Sequence, residues 1–142
     1  ADVVDIYRVR HHVECSVLEH APRNHPNAVQ MEAAVEAAER FAAEENWLEV
    51  GTANMAFHNA VVSLSDSRRL MQSFSNVLAE LRLAFLKVEV LDFLHAPFIS
   101  RNKEVIEVYR TEGSAAAAKI LGAYLGDSER QVLGAYARAG QD

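Results

Sequence analysis

Apolar residues recur every three or four positions along almost the whole chain, which is the period of an amphipathic α-helix. No strand-type alternation of apolar and polar residues is sustained, and the connecting segments are short. The pattern predicts about six helices, spanning in order about 3–20, 27–45, 47–64, 67–92, 97–111 and 115–139. Residues 1–142 are therefore predicted to form one all-α domain, a single antiparallel helical bundle.

Core positions follow from the same periodicity. The predicted inward faces are Ile6, Val9, Val13 and Val17 on the first helix, and Val29, Ala33, Ala37 and Phe41 on the second. On the third they are Val50, Phe57, Val61 and Leu64. The fourth helix is apolar on more than one side, which is typical of a central helix, through Leu70, Phe74, Val77, Leu78, Leu81, Phe85 and Val88.

Two predicted helix starts carry polar residues that suit an N-cap. Asp66 is predicted to cap the fourth helix and Ser114 the last one. The segment His95-Ala96-Pro97 is predicted to be a loop before the fifth helix, because proline disfavours helix at the residue that precedes it.

Composition narrows the class of protein. The 20 acidic and 14 basic residues give a net charge of −6, which makes this chain alone a poor nucleic-acid binder. The single Cys15 excludes an intrachain disulfide framework and indicates a reducing, cytoplasmic setting. Neither a membrane span nor a signal peptide is predicted. Because the chain begins with Ala1 rather than methionine, it is expected to be a piece of a longer protein or a processed product.

Few residues suggest catalysis. Cys15 lies beside apolar positions and is predicted to be a small core residue rather than a nucleophile. The sequence has no nucleophile elbow, phosphate-binding glycine loop or His-Glu-x-x-His motif. His20, His25 and His95 fall at predicted helix ends or loops, where histidine commonly contacts terminal carbonyls. No catalytic residue is assigned, and the chain is predicted not to be an enzyme.

Three features are candidates for binding. His58 follows Asn54 by four residues, so both project from one helix face. A neutral amide is a weak metal ligand, and His58 is equally suited to a position at the edge of the core. Arg10 and Glu14, also four apart, pair on the surface or brace a pocket. Arg82 lies within the most apolar helix; its guanidinium either reaches solvent or a structural carboxylate, or awaits an anionic ligand.

Several segments together resemble one family, the FCD effector-binding domain of the FadR branch of GntR-type bacterial transcription regulators. In residues 6–14 an arginine is followed four residues later by glutamate, as at the family's start, and Asn54-Met55-Ala56-Phe57-His58 is similar to its Asp-x-x-Phe-His signature. The segment that begins at Asn102 resembles the family's histidine-led helix. Tyr124, 22 residues later, falls where the family has its closing histidine.

The resemblance implies a ligand cavity that in the family commonly holds a divalent metal on one aspartate and three histidines. Here those positions are Asn54, His58, Asn102 and Tyr124, so three of the four ligands are changed. The expectation is a metal-free pocket without a cofactor. Together with Arg10 and with Arg82, which falls near an arginine that often faces the family's cavity, these residues are expected to line it and to bind a small, anionic effector, such as a carboxylate.

The resemblance also implies the biological setting. The family's helical domain forms homodimers and is joined to an N-terminal winged helix-turn-helix domain, which this chain lacks, so DNA is expected to be contacted only through that missing part. Two alternatives remain: a ligand-free dimerisation module whose cavity is filled by side chains, and a small helical enzyme with His58 as general base.

Overall fold

The computed structural model describes residues 2–87 and 91–139, and helix is the regular secondary structure found in those ranges. The helices are α1 (Val3–Arg10), a π-helical turn (His11–Cys15), α2 (Ser16–His20), α3 (Ala28–Ala43), α4 (Trp47–Ser63), α5 (Arg68–Leu86), α6 (Leu91–Thr111) and α7 (Ser114–Ala139). Because α1, the π-helical turn and α2 follow one another without a break, the described residues form six helical rods. The predicted all-α bundle is confirmed.

Helix α4 lies at the centre of the bundle, where it packs against α3, α5 and α6 and also contacts α2 and the π-helical turn. Its predicted core residues are all buried: Val50, Phe57, Val61 and Leu64. The prediction that the fourth predicted helix is the central one is wrong. That helix, α5, buries one stripe, and its Leu83 is 63% exposed.

The predicted inward face of the first helix is largely wrong. Ile6 is buried, but the three valines at positions 9, 13 and 17 are only partly so, and the core side is instead occupied by Arg10, Glu14 and Leu18. The π-helical turn at His11–Cys15 explains part of the difference. It has more residues per turn than an α-helix, so a strict 3.6-residue period does not continue through it.

The inward face of α3 is displaced from the predicted one. The buried residues are Ala28, Met31, Ala34, Val35 and Ala38, whereas Val29 is 62% exposed. Alanine is common on every side of this helix, so the apolar pattern alone distinguishes its faces poorly. Small side chains on the buried face allow α3 to pack closely on α4.

The predicted boundary between the fourth and fifth helices is also wrong. Helix α5 ends at Leu86, and α6 begins at Leu91 and continues through Pro97, so that His95 is helical rather than in a loop. Residues 88–90, including the predicted core residue Val88, lie outside the described residues. Proline removes one helical hydrogen bond, but burial of Leu94 and Phe98 on either side of Pro97 offsets that loss.

Both predicted caps are replaced by other contacts. Ser67 caps α5, since its Oγ accepts a hydrogen bond from the Leu70 amide at 3.2 Å. Asp66 has a left-handed backbone and receives a hydrogen bond at 2.9 Å from His25 Nε2. Ser114 is the first residue of α7, and its hydroxyl donates to the Ala21 carbonyl at 2.6 Å.

The cap at Ser67 is open to a direct test. Because Ser67→Ala removes the side-chain acceptor for a helix-terminal amide, we expect it to lower the free energy of unfolding by about 1 kcal/mol. Urea denaturation measures the change, and the exposed Ser73 of the same helix provides the control Ser73→Ala. Equal stabilities of the two variants would contradict a capping role.

Candidate functional site

Five of the six predicted ligand-binding residues lie in one hydrogen-bonded chain inside the bundle. Glu14 links Arg10 to His58: its carboxylate accepts a hydrogen bond from Arg10 Nε at 2.7 Å and another from His58 Nδ1 at 2.5 Å. His58 Nε2 bonds the Tyr124 hydroxyl at 3.1 Å. The chain closes on Asn54 Oδ1, which lies 3.4 Å from the Tyr124 hydroxyl and accepts from Asn102 Nδ2 at 2.8 Å. Four helical rods thus contribute to one polar cluster in the core.

The charges in this cluster are balanced by Glu14, whose side chain has no exposed surface. Burial acts to raise the pKa of its carboxyl, but the positive charge of Arg10 and the hydrogen bonds from Arg10 and His58 outweigh burial and hold that pKa below its ordinary value. Arg10 is also buried, and burial works against its charge while the Glu14 carboxylate keeps it protonated. The two form a buried ion pair rather than a surface pair.

The hydrogen bonds of His58 define its tautomer. The Glu14 carboxylate can only accept, so Nδ1 carries the proton and Nε2 accepts from the Tyr124 hydroxyl. Burial lowers the pKa of His58, in spite of the neighbouring Glu14 charge, and the ring is therefore neutral at neutral pH. Both ring nitrogens are engaged, which leaves no free nitrogen to serve as a general base.

Aromatic rings and a surface arginine enclose Tyr124. The Phe98 ring stacks on it with centroids 5.0 Å apart, and the Arg101 guanidinium lies 5.4 Å from its ring centroid. Burial raises the pKa of Tyr124, so its hydroxyl stays protonated and remains a donor. Nearby, the Tyr7 hydroxyl is 2.6 Å from Ser128 Oγ, which ties α1 to α7.

The sixth predicted residue, Arg82, lies in a separate cluster. Its Nη2 donates to the Leu48 carbonyl and, at 3.2 Å, to Thr52 Oγ1, both on α4. His95 of α6 approaches the same part of α4, since Gly51 faces both Arg82 Nη1 and His95 Nε2. Gly51 is one helical turn before Asn54 on the same face of α4, so the two clusters are neighbours along that helix.

His95 belongs to this second cluster, although the sequence pattern predicted it to lie in a loop. The available signal was the apolar spacing of Leu94 and Phe98, which continues the helical period backwards across Pro97. That period also puts His95 seven residues before Asn102, on one face of α6. Gly51 was missed as well, because a glycine inside a helix does not by itself reveal what approaches it.

Several buried polar atoms in the two clusters have no hydrogen-bond partner among the described residues. They are Arg10 Nη2 and Asn102 Oδ1 in the first cluster, and Arg82 Nη1 and His95 Nε2 in the second. An unpaired buried polar atom costs free energy in the folded state. Such atoms are therefore candidates for contact with a bound molecule.

The residues at the metal-ligand positions do not fit a divalent metal well. Asn54 Oδ1 is occupied by the Asn102 amide, and His58 Nε2 is occupied by the Tyr124 hydroxyl. The carboxylate of Glu14, which contacts His58, is held between Arg10 and His58. No group of three or more His, Cys, Asp or Glu side chains suited to a metal is found in residues 2–87 and 91–139.

Cys15 has the character of a packing residue. It is half-buried beside the core and close to Gly122 of α7. Burial, with a smaller contribution from Glu14, raises the pKa of its thiol to about 11. A thiol with that pKa holds very little thiolate at neutral pH, which disfavours a nucleophilic role.

Comparison with known proteins places this helical bundle among regulatory domains. A profile of the FCD domain family matches residues 5–127. The fold is similar to the crystal structure of a protein from Rhodococcus sp. RHA1 described as a transcriptional regulator GntR, with a TM-score of 0.90 and 32% sequence identity. That match covers 95% of this chain and 65% of the Rhodococcus chain. A search of curated proteins finds no match.

The chain belongs to the FCD domain family and is a regulatory domain of the GntR type, as its sequence resemblance predicted. Assignment to the FadR branch stays a prediction. No helix in the described part of the chain is long and apolar enough to cross a membrane.

Proposed function

We propose that this domain senses a small anionic metabolite, which binds between the helices of the bundle. In the full-length protein the bound metabolite alters how a pair of N-terminal winged helix-turn-helix domains holds DNA. The assembly is a homodimer in the cytoplasm. Membership of the FCD family and similarity to a GntR regulator support this proposal.

The observation that carries the proposal is the set of unpartnered polar atoms beside the α4–α6 contact. Arg82 Nη1 and His95 Nε2 lie beside Gly51 of α4. The side chain of Asn102 reaches α4 one helical turn further on, at Asn54, and its Oδ1 is also unpartnered. A metabolite with an anionic group and polar substituents would provide partners for these atoms. The guanidinium of Arg82 supplies the positive charge that favours an anion.

Binding can change the packing of the bundle only if the metabolite prefers one arrangement over another. The hydrogen-bonded cluster offers such a difference, since Asn54, His58, Asn102 and Tyr124 bond mainly to one another. A ligand that takes over one of these bonds forces the rest to rearrange. Four helical rods contribute to the cluster, so a change there reaches most of the bundle.

We further propose that the domain works without a metal. Two observations support this. The residues at the metal-ligand positions are hydrogen-bonded to one another, and position 54 carries an amide instead of a carboxylate. Zinc and nickel favour imidazole, thiolate and charged oxygen ligands over neutral amides and phenols.

Sensing is tested by a thermal-shift screen of the purified domain with organic acids, sugar acids and acyl thioesters. A ligand present at 100 times its Kd adds about 2.7 kcal/mol to the free energy of unfolding and raises Tm accordingly. The coding sequence upstream provides a second test, since a winged helix-turn-helix domain is expected there. Absence of any thermal shift across the screen would count against the sensing proposal.

Metal independence is tested by restoring the family's ligand set. Asn54→Asp, Asn102→His and Tyr124→His together are expected to create a zinc or nickel site, so Tm should rise when metal is added. Adding His58→Gln to the triple variant removes the one original imidazole and should abolish the rise. Stoichiometric metal in the unaltered protein after chelator treatment, measured by elemental analysis, would refute the proposal.

A second candidate function is a dimerisation module that binds no ligand. It is favoured by the burial of Tyr124 and Phe98, which stack on each other beside His58 in the region where a cavity is expected. The same thermal-shift screen separates the two functions, because a filled core gains nothing from any added metabolite. Sedimentation of the isolated domain measures dimerisation independently.

A further inference from the structure

Arg101 of α6 lies between the hydrogen-bonded cluster and solvent. Its side chain is 30% exposed, yet its guanidinium also contacts two stacked aromatic rings of the core. It lies 5.4 Å from the ring centroid of Tyr124 and 5.8 Å from that of Phe98. Tyr124 is itself buried, and its hydroxyl bonds His58 on the inner side. Arg101 therefore forms an outer layer over Tyr124, and the cluster lies beneath that ring.

An ion pair with α7 holds Arg101 in this position. Its Nη1 donates a hydrogen bond to Asp127 Oδ2 at 2.6 Å. That hydrogen bond is the main reason why the pKa of Asp127 lies below its ordinary value, so the carboxylate is charged at neutral pH. Asp127 is 43% exposed and also accepts from Arg130. The Arg101–Asp127 pair thus joins α6 to α7 next to the Tyr124 ring, at a place that water reaches.

Displacing Arg101 disturbs the bundle much less than separating two helices. Partly exposed ion pairs and cation–π contacts are individually weak, and long surface side chains change rotamer rapidly. Separating α6 from α7 would instead expose the apolar side chains buried along their contact. Once Arg101 turns away from Asp127, the Tyr124 ring is the next layer, and movement of that one side chain reaches His58.

An unpartnered acceptor lies in the same part of the core. Asn102 follows Arg101 on α6, and its Nδ2 donates to Asn54 Oδ1 at 2.8 Å. Asn102 Oδ1 is buried and has no hydrogen-bond partner among the described residues. A water molecule, or a donor group of an effector, that passes Arg101 would supply that partner. A molecule that enters on this side is therefore stabilised at the inner end of its path.

We propose that water and effector reach the hydrogen-bonded cluster between α6 and α7, through an entrance that the Arg101–Asp127 ion pair closes. Opening takes two steps: Arg101 leaves Asp127 and the stacked rings, and Tyr124 then turns away from His58. The passage of an effector rests on the proposed sensing function, whereas the passage of water does not depend on it. The entrance can therefore be tested with water alone.

Exchange of the His58 Nδ1 proton with solvent measures the opening. This proton lies in the hydrogen bond to Glu14, and neither side chain has exposed surface, so it exchanges only when the cluster opens. NMR of the whole domain, labelled with ¹⁵N-histidine and transferred into D2O, follows the exchange. Arg101→Gln should accelerate it about tenfold, because the ion pair and the contact with both rings are lost. Asp127→Asn should accelerate it less, because only the ion pair is lost.

Two control variants isolate the closing pair. Arg130→Gln is the matched control, since it removes the other guanidinium bound to Asp127, which is 73% exposed. Lys103→Gln breaks an exposed ion pair between α6 and Glu39 of α3. Both variants should exchange the His58 proton like the unaltered domain. Equal exchange rates in Arg101→Gln and Arg130→Gln would overturn the proposal.

Local opening must also be distinguished from global unfolding. Ser67→Ala, the capping variant described above, lowers global stability without touching the entrance. Exchange that passes through global unfolding rises steeply with urea, whereas exchange through the entrance should depend little on low urea concentrations. We expect the second behaviour in Arg101→Gln. An acceleration no larger than that of Ser67→Ala, with a steep dependence on urea, would refute the entrance.

Salt should act on the same pair. Raising NaCl from about 0.1 M to about 1 M shortens the Debye length from about 10 Å to about 3 Å, which weakens a partly exposed ion pair. Exchange of the His58 proton should therefore be faster at high salt in the unaltered domain. In Arg101→Gln the effect should disappear, because the pair is already broken. A salt effect that persists in this variant would count against the proposal.

The outcome is separable from that of the sensing proposal. Faster exchange in Arg101→Gln, with no metabolite active in the thermal-shift screen, would uphold the entrance and count against sensing. For a metabolite that is active, Arg101→Gln should raise the association and dissociation rates together, as measured by stopped-flow mixing. Unchanged rates for such a metabolite would uphold sensing and refute this route for the effector.

Discussion

Glu14→Gln is expected to lower the free energy of unfolding by about 3–5 kcal/mol, the usual cost of leaving one charge of a buried ion pair uncompensated. Glutamine has nearly the same shape, so packing in the core is preserved while the negative charge is lost. Arg10 would then remain charged, with almost no exposed surface and no carboxylate to balance it. Urea denaturation at pH 7 measures the loss.

Two further variants isolate the charge effect. Glu19→Gln, at an exposed position on the same helical rod, should change stability little. Adding Arg10→Met to Glu14→Gln removes the stranded cation, so the double variant should be more stable than Glu14→Gln alone. A loss below about 1 kcal/mol for Glu14→Gln would show that the buried pair contributes little net stability.

Acidification should destabilise the domain through its buried neutral histidines. The pKa of His95 is about 4 in the folded protein, against 6.5 as its ordinary value, so the folded state binds fewer protons between these pH values. Stability from His95 is therefore complete above pH 6.5 and is lost as the pH falls towards 4. This lowering of the His95 pKa corresponds to about 3 kcal/mol of unfolding free energy. The lowered pKa of His58 acts in the same direction.

Denaturation curves between pH 7 and pH 4 test this expectation. His95→Gln should flatten the dependence of unfolding free energy on pH, because its side chain does not titrate. His12→Gln, at an exposed position, should leave the dependence close to that of the unaltered domain. Identical slopes for His95→Gln and the unaltered domain would contradict the assignment of a neutral buried His95. The pKa of Glu14 lies below its ordinary value of 4.5, so protonation of this carboxylate adds destabilisation only at the acidic end of the range.

Helix content was predictable because local periodicity determines it. Apolar spacing predicted all six rods, and the core residues of α4 were correct because that helix is surrounded on most sides. The direction of a helix face is harder to predict, because it depends on neighbouring helices. Because α3 is rich in alanine, its apolar pattern does not distinguish one face from another. On the first rod, the core positions are taken by the charged residues Arg10 and Glu14 instead of apolar ones.

The candidate site was predictable as a set of residues but not as an arrangement. Spacing and family resemblance identified Asn54, His58, Asn102 and Tyr124, which lie together. Spacing also related Arg10 to Glu14, but it could not show that Glu14 bridges Arg10 and His58. His95 was not predicted to be helical, because proline is a strong local signal for a helix break. Burial of the residues on both sides of Pro97 overrides that signal in the folded bundle.

The π-helical turn at His11–Cys15 has a consequence for comparing this domain with its relatives. Such a turn amounts to one residue inserted into a regular helix, and one residue corresponds to a rotation of about 100°. Deleting one residue from this turn would restore a regular helix but turn Tyr7 away from Ser128, or Leu18 away from the core. A relative with an unbroken α-helix here should therefore align only with a one-residue gap between Tyr7 and Leu18.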